Sequence, residues 1–246
     1  MRTIGVVCMA LVVMFVAASA QAATIAWGPV TAVNFADPAQ ILGTAGGYTY
    51  VEAVTAYKTG PLSVNGVTFL PLSTVGSSAL YTGAAHITQT LTGARTDSGW
   101  VTPTQPDDYK RMLVSTSYLS TGGDGAINLS GLVSGTKYRV QLWTGWWDND
   151  VYATKYDGFS LNPGDYNGPG GGNETPVPPQ FMVGTFTADA TSQTIAITAM
   201  PGGANPPYYD IRMYAGAVSL YAIPEPATMA LLGLGGLGLL FNRKRR

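Results

Sequence analysis

The residues best suited to chemistry lie between positions 143 and 157: Trp143, Trp146, Trp147, Asp148, Asn149, Asp150, Tyr152, Tyr156 and Asp157. Indole and phenol rings offer flat apolar faces on which the C–H face of a sugar stacks, while carboxylates and amides bond its hydroxyls. The pattern suits a glycan-binding platform at a strand end, with Trp143, Trp146, Trp147, Asp148, Asp150, Tyr152 and Tyr156 as its contact residues. The same residues have a plainer use. Aromatic side chains bury large areas, so Trp143 and one of the paired tryptophans can fill a core while the acids shape turns. Asp148, Asn149 and Asp150 also carry oxygen ligands for Ca²⁺, but the EF-hand spacing fails, with Ala153 at the sixth position and Phe159 at the twelfth. A structural Ca²⁺ held by scattered loop oxygens stays open, the metal content is unassigned, and no cofactor is implied.

Patterns for catalysis are sparse. His86 is the single histidine, without a cysteine partner or an HExxH context, and reads as a surface or loop residue. A Gly-x-Ser-x-Gly nucleophile elbow is missing. Glycoside hydrolysis needs two carboxylates held across a sugar, whereas the acids here fall mostly in turns and Glu174 lies in a Gly/Pro-rich stretch. Glu52, on a strand, is the exception, although a lone strand acid usually faces solvent. Gly170-Gly171-Gly172 lacks the lysine and helix of a phosphate loop. A non-enzymatic protein is expected; a secreted carbohydrate-active enzyme and a ligand-free surface spacer are the alternatives.

The elements that must position these residues read as strands. Val, Thr, Tyr and Ser with abundant Gly turns favour pleated, half-buried segments. Tyr48 to Tyr57 alternates in period two, with Tyr48, Tyr50, Glu52, Val54 and Ala56 on one face. Asn65-Gly66 is a tight-turn signal. Tyr109 to Tyr118 reads as a buried strand. Gly131 and Gly135 punctuate a turn, after which Tyr138, Val140 and Leu142 alternate with Arg139, Gln141 and Trp143, as in a half-buried antiparallel strand with one apolar face. Leu132 and Tyr138 are placed to close the core at a corner. Residues 162–179 form a low-complexity loop, and strands resume at Phe181–Thr187, Gln193–Ala199, Tyr209–Tyr214 and Ala217–Tyr221. No segment before Ala227 shows a persuasive helical period. Short strands between Gly/Pro turns predict an all-β fold, a single antiparallel β-sandwich.

The two ends carry a different message. Arg2, an apolar run from Ile4 to Ala18 and the small-x-small triplet Ala20-Gln21-Ala22 form a signal peptide over 1–22, for removal by signal peptidase. Cys8 would leave with it, so the body over 23–222 has no disulfide. At the other end, 223–246 holds Pro224, Glu225 and Pro226, then an apolar stretch from Ala227 to Phe241, then Arg243, Lys244, Arg245 and Arg246. The prolines keep the chain extended. The apolar stretch can satisfy its backbone in lipid only as a helix, and the terminal cations favour the cytoplasmic side. At 15 residues it falls short of the roughly 20 of a stable span, which suits a transient handle. Loss of both ends leaves 8 of 13 basic and 13 of 14 acidic residues, a net charge of −5. That acidity excludes nucleic acid as the main partner.

Pro-Glu-Pro, a short Leu/Gly-rich apolar segment and a terminal Arg/Lys cluster together resemble the PEP-CTERM sorting signal of exopolysaccharide-producing Gram-negative bacteria. The resemblance implies an exosortase, a membrane transpeptidase-like protease, as partner, with loss or exchange of the tail. It implies export through the inner membrane, anchoring there through a C-terminal transmembrane helix before processing, and then a place at the cell surface or in the extracellular matrix. The body, through VNGVTF, Tyr109–Tyr118, GLVSGTKYRVQLW and VGTFTAD, resembles the jelly-roll or galactose-binding-like ectodomains that such proteins carry. A structural or adhesive role in an exopolysaccharide matrix follows as the expectation.

Overall fold

The computed structural model describes residues 23–43, 47–57, 60–71, 74–75, 78–79, 85–91, 93–95, 107–119, 124–147, 154–162, 164–165, 178–199 and 213–224. The all-β expectation holds for these residues. The largest sheet runs in the order β1 (Ala26–Trp27), β17 (Gln180–Thr187), β12 (Lys137–Trp143), β20 (Ala217–Ile223), β3 (Thr49–Thr55), β5 (Val67–Pro71) and β4 (Leu62–Val64). A short β2 (Thr31–Ala32) also pairs with β17. Neighbours are antiparallel except β3 and β5. A second sheet runs β15 (Phe159–Leu161), β14 (Thr154–Tyr156), β18 (Ser192–Ala199), β11 (Gly125–Ser130) and β8 (Ile87–Gln89). A third joins β19 (Met213–Ala215), β10 (Thr116–Leu119) and β9 (Gly93–Arg95), and two small pairs are β6 (Thr74–Val75) with β7 (Ser78–Ala79), and β13 (Trp146–Trp147) with β16 (Gly164–Asp165).

The first core lies where the two large sheets meet. Val54, Tyr138, Val140, Leu142, Met182, Phe186, Val218 and Leu220 of the main sheet pack with Ile87, Ile127, Leu129, Tyr156, Leu161, Ile195 and Ile197 of the second. Alternation on β12 sends Tyr138, Val140 and Leu142 into this core, as its sequence predicts. At the corner before β12, Leu132 is buried and the Tyr138 hydroxyl accepts a 2.9 Å bond from the Val133 amide. The Asn65-Gly66 turn also forms as expected. Both residues take positive φ, 48° and 75°, as a two-residue hairpin loop requires, and β4 pairs with β5 across it.

The opposite face of the main sheet holds a second core, and here the sequence reading needs correction. β12 is not half-exposed. Gln141 and Trp143 are as buried as the apolar side of the strand, because Val33 and Ile41 from the segment before β3, and Tyr109, Met112 and Leu113 from a helix, cover them. That helix, α1 (Asp108–Leu113), replaces the start of the strand expected over Tyr109–Tyr118, which begins only at Thr116. Asp107 caps α1, its side chain accepting from the Lys110 amide at 2.8 Å. Tyr109, Met112 and Leu113 fall at i, i+3 and i+4 and are all buried, which is the helical period the strand reading overlooked. The expected alternation on β3 also fails, at a β-bulge that shifts its register against β20 between Leu220 and Tyr221. Tyr50 then sides with Ala53 in the second core, while Val51 and Val54 side with the first.

Candidate functional site

The residues expected to form one glycan platform are divided by the main sheet. Trp143 ends β12 in the second core, 1% exposed, edge-on to Phe69 at 5.9 Å and tilted against Phe181 at 6.4 Å. Tyr156 ends β14 in the first core, also 1% exposed. Neither ring offers a face to a solute. Asp157, with φ of 47°, accepts from the Ala196 amide at 2.8 Å and the Trp27 indole at 3.3 Å, so it binds a turn to a strand. Trp146 and Trp147 form β13, parallel to Gly164 and Asp165 of β16. Asp148, Asn149, Asp150 and Tyr152 lie outside the described residues, as do Glu174 and Gly170–Gly172.

Glu52 is placed differently from the expected solvent-facing strand acid. It is 5% exposed, and its carboxylate accepts three backbone bonds, from Ala85 at 2.7 Å, His86 at 2.8 Å and Ile87 at 2.6 Å. Three charge-assisted bonds satisfy a buried carboxylate without a cation, and they tie β3 of the main sheet to the start of β8 in the second. His86 is half-buried, with Nδ1 2.9 Å from the Ser130 carbonyl. Gly131, at φ +66°, makes room for that ring, since a Cβ there would lie 2.6 Å from Nδ1. The carboxylate and the imidazole are thus both engaged by backbone. Among the described residues no group of three or more His, Cys, Asp or Glu could hold a metal ion.

A cleft of about 470 Å³ opens between Phe35–Pro38, the β4–β5 hairpin at Ser63–Asn65 and the first turn of α1. Its acids are also in use. Asp107 pairs with Lys110 at 3.5 Å, and Asp108 accepts from the Ser63 amide at 2.8 Å and from Arg111 at 3.1 Å. Tyr109 forms the floor, buried, with its hydroxyl 3.2 Å from both the Asn34 carbonyl and Gln40 Oε1. Burial first, then the nearby Asp37 and Asp107 charges, hold its pKa well above the usual phenol value. The hydroxyl is therefore held as a donor toward these two oxygens at the floor of the cleft. Sequence reasoning missed this cleft because it read α1 as a strand; the signal was Asp107-Asp108 ahead of Tyr109, Met112 and Leu113.

The last described residues of the chain, Ala222 to Pro224, lie at the edge of the folded body. Ala222 and Ile223 pair with Tyr138 and Lys137 of β12, and Pro224 is exposed. Among the described residues no helix is long and apolar enough to cross a membrane; Ala227–Phe241 and the basic residues Arg243–Arg246 lie beyond them, as does the signal-like segment 1–22. No curated protein and no solved structure matches this chain. Residues 222–246 match the PEP-CTERM protein-sorting motif, which implies an exported protein handled by an exosortase through its C-terminus.

Proposed function

We propose that this chain is a non-enzymatic, exosortase-processed protein of the cell surface or extracellular matrix, with a structural or adhesive role exercised through polysaccharide contact. The observation that carries the reading is the sorting motif over 222–246, continuous with a folded β body. In this reading 1–22 is a signal peptide and 227–241 spans the inner membrane until processing. The body is a single jelly-roll-like sandwich, built on the core shared by its two large sheets. With Trp143 and Tyr156 buried, this reading gives the glycan contact to Trp146, Trp147, Asp148, Asp150 and Tyr152. The engagement of Glu52 by three amides favours binding over hydrolysis.

Two measurements test it. Expressed in a host with an exosortase, the protein should appear outside the inner membrane in a shortened form, and Pro224→Ala/Glu225→Ala/Pro226→Ala should hold it as precursor. The released protein should bind on a polysaccharide array and lose that binding on Trp146→Ala/Trp147→Ala. Turnover of any arrayed polysaccharide would replace the reading with a carbohydrate-active enzyme, and silence of the array would leave a surface spacer.

A further inference from the structure

β1 is an edge strand of the main sheet and β15 an edge strand of the second. The bond from the Trp27 indole to Asp157 brings these two edges together at an open mouth of the sandwich. The Trp27 ring is held from two directions there. It lies over its cross-strand partner Gly184, where a Cβ would come within 2.5 Å of Cε3, and its N–H is taken by the carboxylate. The ring is left half-buried. Phe159 stands directly opposite Tyr156 across the β14–β15 hairpin, so the two side chains share a face. Tyr156 and Leu161 point into the first core, so Phe159 points the same way, toward the main sheet. Yet it is 44% exposed, the one aromatic ring among the exposed large hydrophobic residues described. The Asp157-Gly158 turn between them has φ of 47° and 89°, as a tight two-residue hairpin turn requires. Asp157 is exposed at this tip. An ionised carboxylate offers about four lone-pair sites, and the Ala196 amide and the Trp27 indole take two of them.

We propose that this mouth is a second polysaccharide contact, which takes a neutral hexose chain: Trp27 and Phe159 stack on the C–H faces of its sugar rings, and Asp157 accepts from its hydroxyls. The proposal rests on the polysaccharide reading above but uses residues apart from Trp146 and Trp147. A half-covered Phe159 adds little to the core, and a sugar face would take the rest of the ring out of water. The indole is already fixed by Gly184 and Asp157, so little freedom is lost when a ligand stacks on it. The polymer is a neutral one because a carboxylate sits beside the rings and the body between the two ends carries a net charge of −5, which repels acidic chains.

The test titrates the protein, isolated from its expressing host, with a soluble glucan, mannan and galactan, and with alginate as an acidic polymer. At least one neutral polymer should bind, and more tightly than alginate. Phe159→Ser should weaken that binding about fivefold, the scale of leaving under half a phenylalanine side chain in water, with an unchanged denaturant midpoint because the ring is exposed. Phe159→Trp, with a larger face, should tighten it about twofold. Asp157→Asn keeps a residue that tolerates positive φ but gives up an acceptor, and should weaken binding about fivefold as well. A neutral polymer bound equally by the parent, Phe159→Ser and Phe159→Trp, or a preference for alginate, overturns the proposal and leaves the polysaccharide reading with Trp146 and Trp147. No binding of any polymer by the parent removes that reading and the proposal together.

Discussion

The two faces of the main sheet are built on different principles. The face toward the second sheet is closed by aliphatic and aromatic side chains meeting across two sheets, with Val140, Leu142, Val218 and Leu220 opposite Ile127, Leu129, Ile195 and Ile197. The other face is covered by irregular chain and short helical turns, which leave some of their backbone groups without partners of their own, so polar side chains from the sheet hold them down. Gln141 donates to the Gln40 carbonyl at 2.7 Å and accepts from the Leu42 amide at 3.0 Å, and the Tyr221 hydroxyl donates to the Leu42 carbonyl. Arg139 reaches over the Tyr48 ring at 4.5 Å. A sheet-on-sheet core runs mainly on apolar alternation, because most of its backbone is already paired; the one carboxylate that ties the two sheets, Glu52, serves three amides at the start of β8. A core roofed by loop needs partners supplied from the sheet.

The largest test asks whether the roofed face is a core at all. Leu220→Ala should cost about 2–5 kcal/mol and Trp143→Ala about 3–5 kcal/mol, both from the cavity left behind, read from denaturant midpoints. A Trp143→Ala cost below about 1 kcal/mol, the scale of a surface change, would reduce the second face to a loose cover. The next test separates the principles. Gln141→Leu should cost about 2–3 kcal/mol, since it strands the Gln40 carbonyl and the Leu42 amide, whereas Leu142→Met on the same strand should cost less than about 1.5 kcal/mol. Equal costs for the two would erase the distinction between the faces.

That distinction also marks how far the sequence could be read. Asn65-Gly66 was legible because positive φ is a local demand met by few residues. The inward parity of Tyr138, Val140 and Leu142 was legible because alternation is a property of one strand. Burial of Gln141 was not, since nothing in β12 announces that segment 34–42 folds over it. Trp143 and Tyr156 looked like one site because they are close in sequence, but the main sheet lies between their cores. α1 was misread because Met112–Thr116 satisfies period two as well as Tyr109, Met112 and Leu113 satisfy a helix, and only the cap at Asp107 decides. The sorting motif needs no fold to be read, and it alone met an independent match.

Two smaller effects bear on the roof itself. Asp107→Ala removes the cap of α1 and should cost about 1 kcal/mol, less than either core substitution, with the far-UV signal nearly unchanged. The last effect is one of pH. Tyr221 is buried against Tyr48 and Tyr50, and burial raises its pKa from 10.0 to about 12; Tyr109, under the same roof, is raised as well. A folded-state pKa above the unfolded one means that the folded form binds its proton more tightly. The stabilisation is fully present below pH 10 and is lost as pH climbs toward the folded value. The roofed face should therefore loosen in alkali as these two phenols ionise. Phenolate absorbance during an alkaline titration should show these tyrosines ionising late and cooperatively with unfolding. Tyr221→Phe gives up the bond to Leu42 at neutral pH, about 1 kcal/mol, but flattens the alkaline limb of the stability curve. An unchanged alkaline limb in Tyr221→Phe would mean that the pH sensitivity belongs elsewhere in the molecule than under the roof.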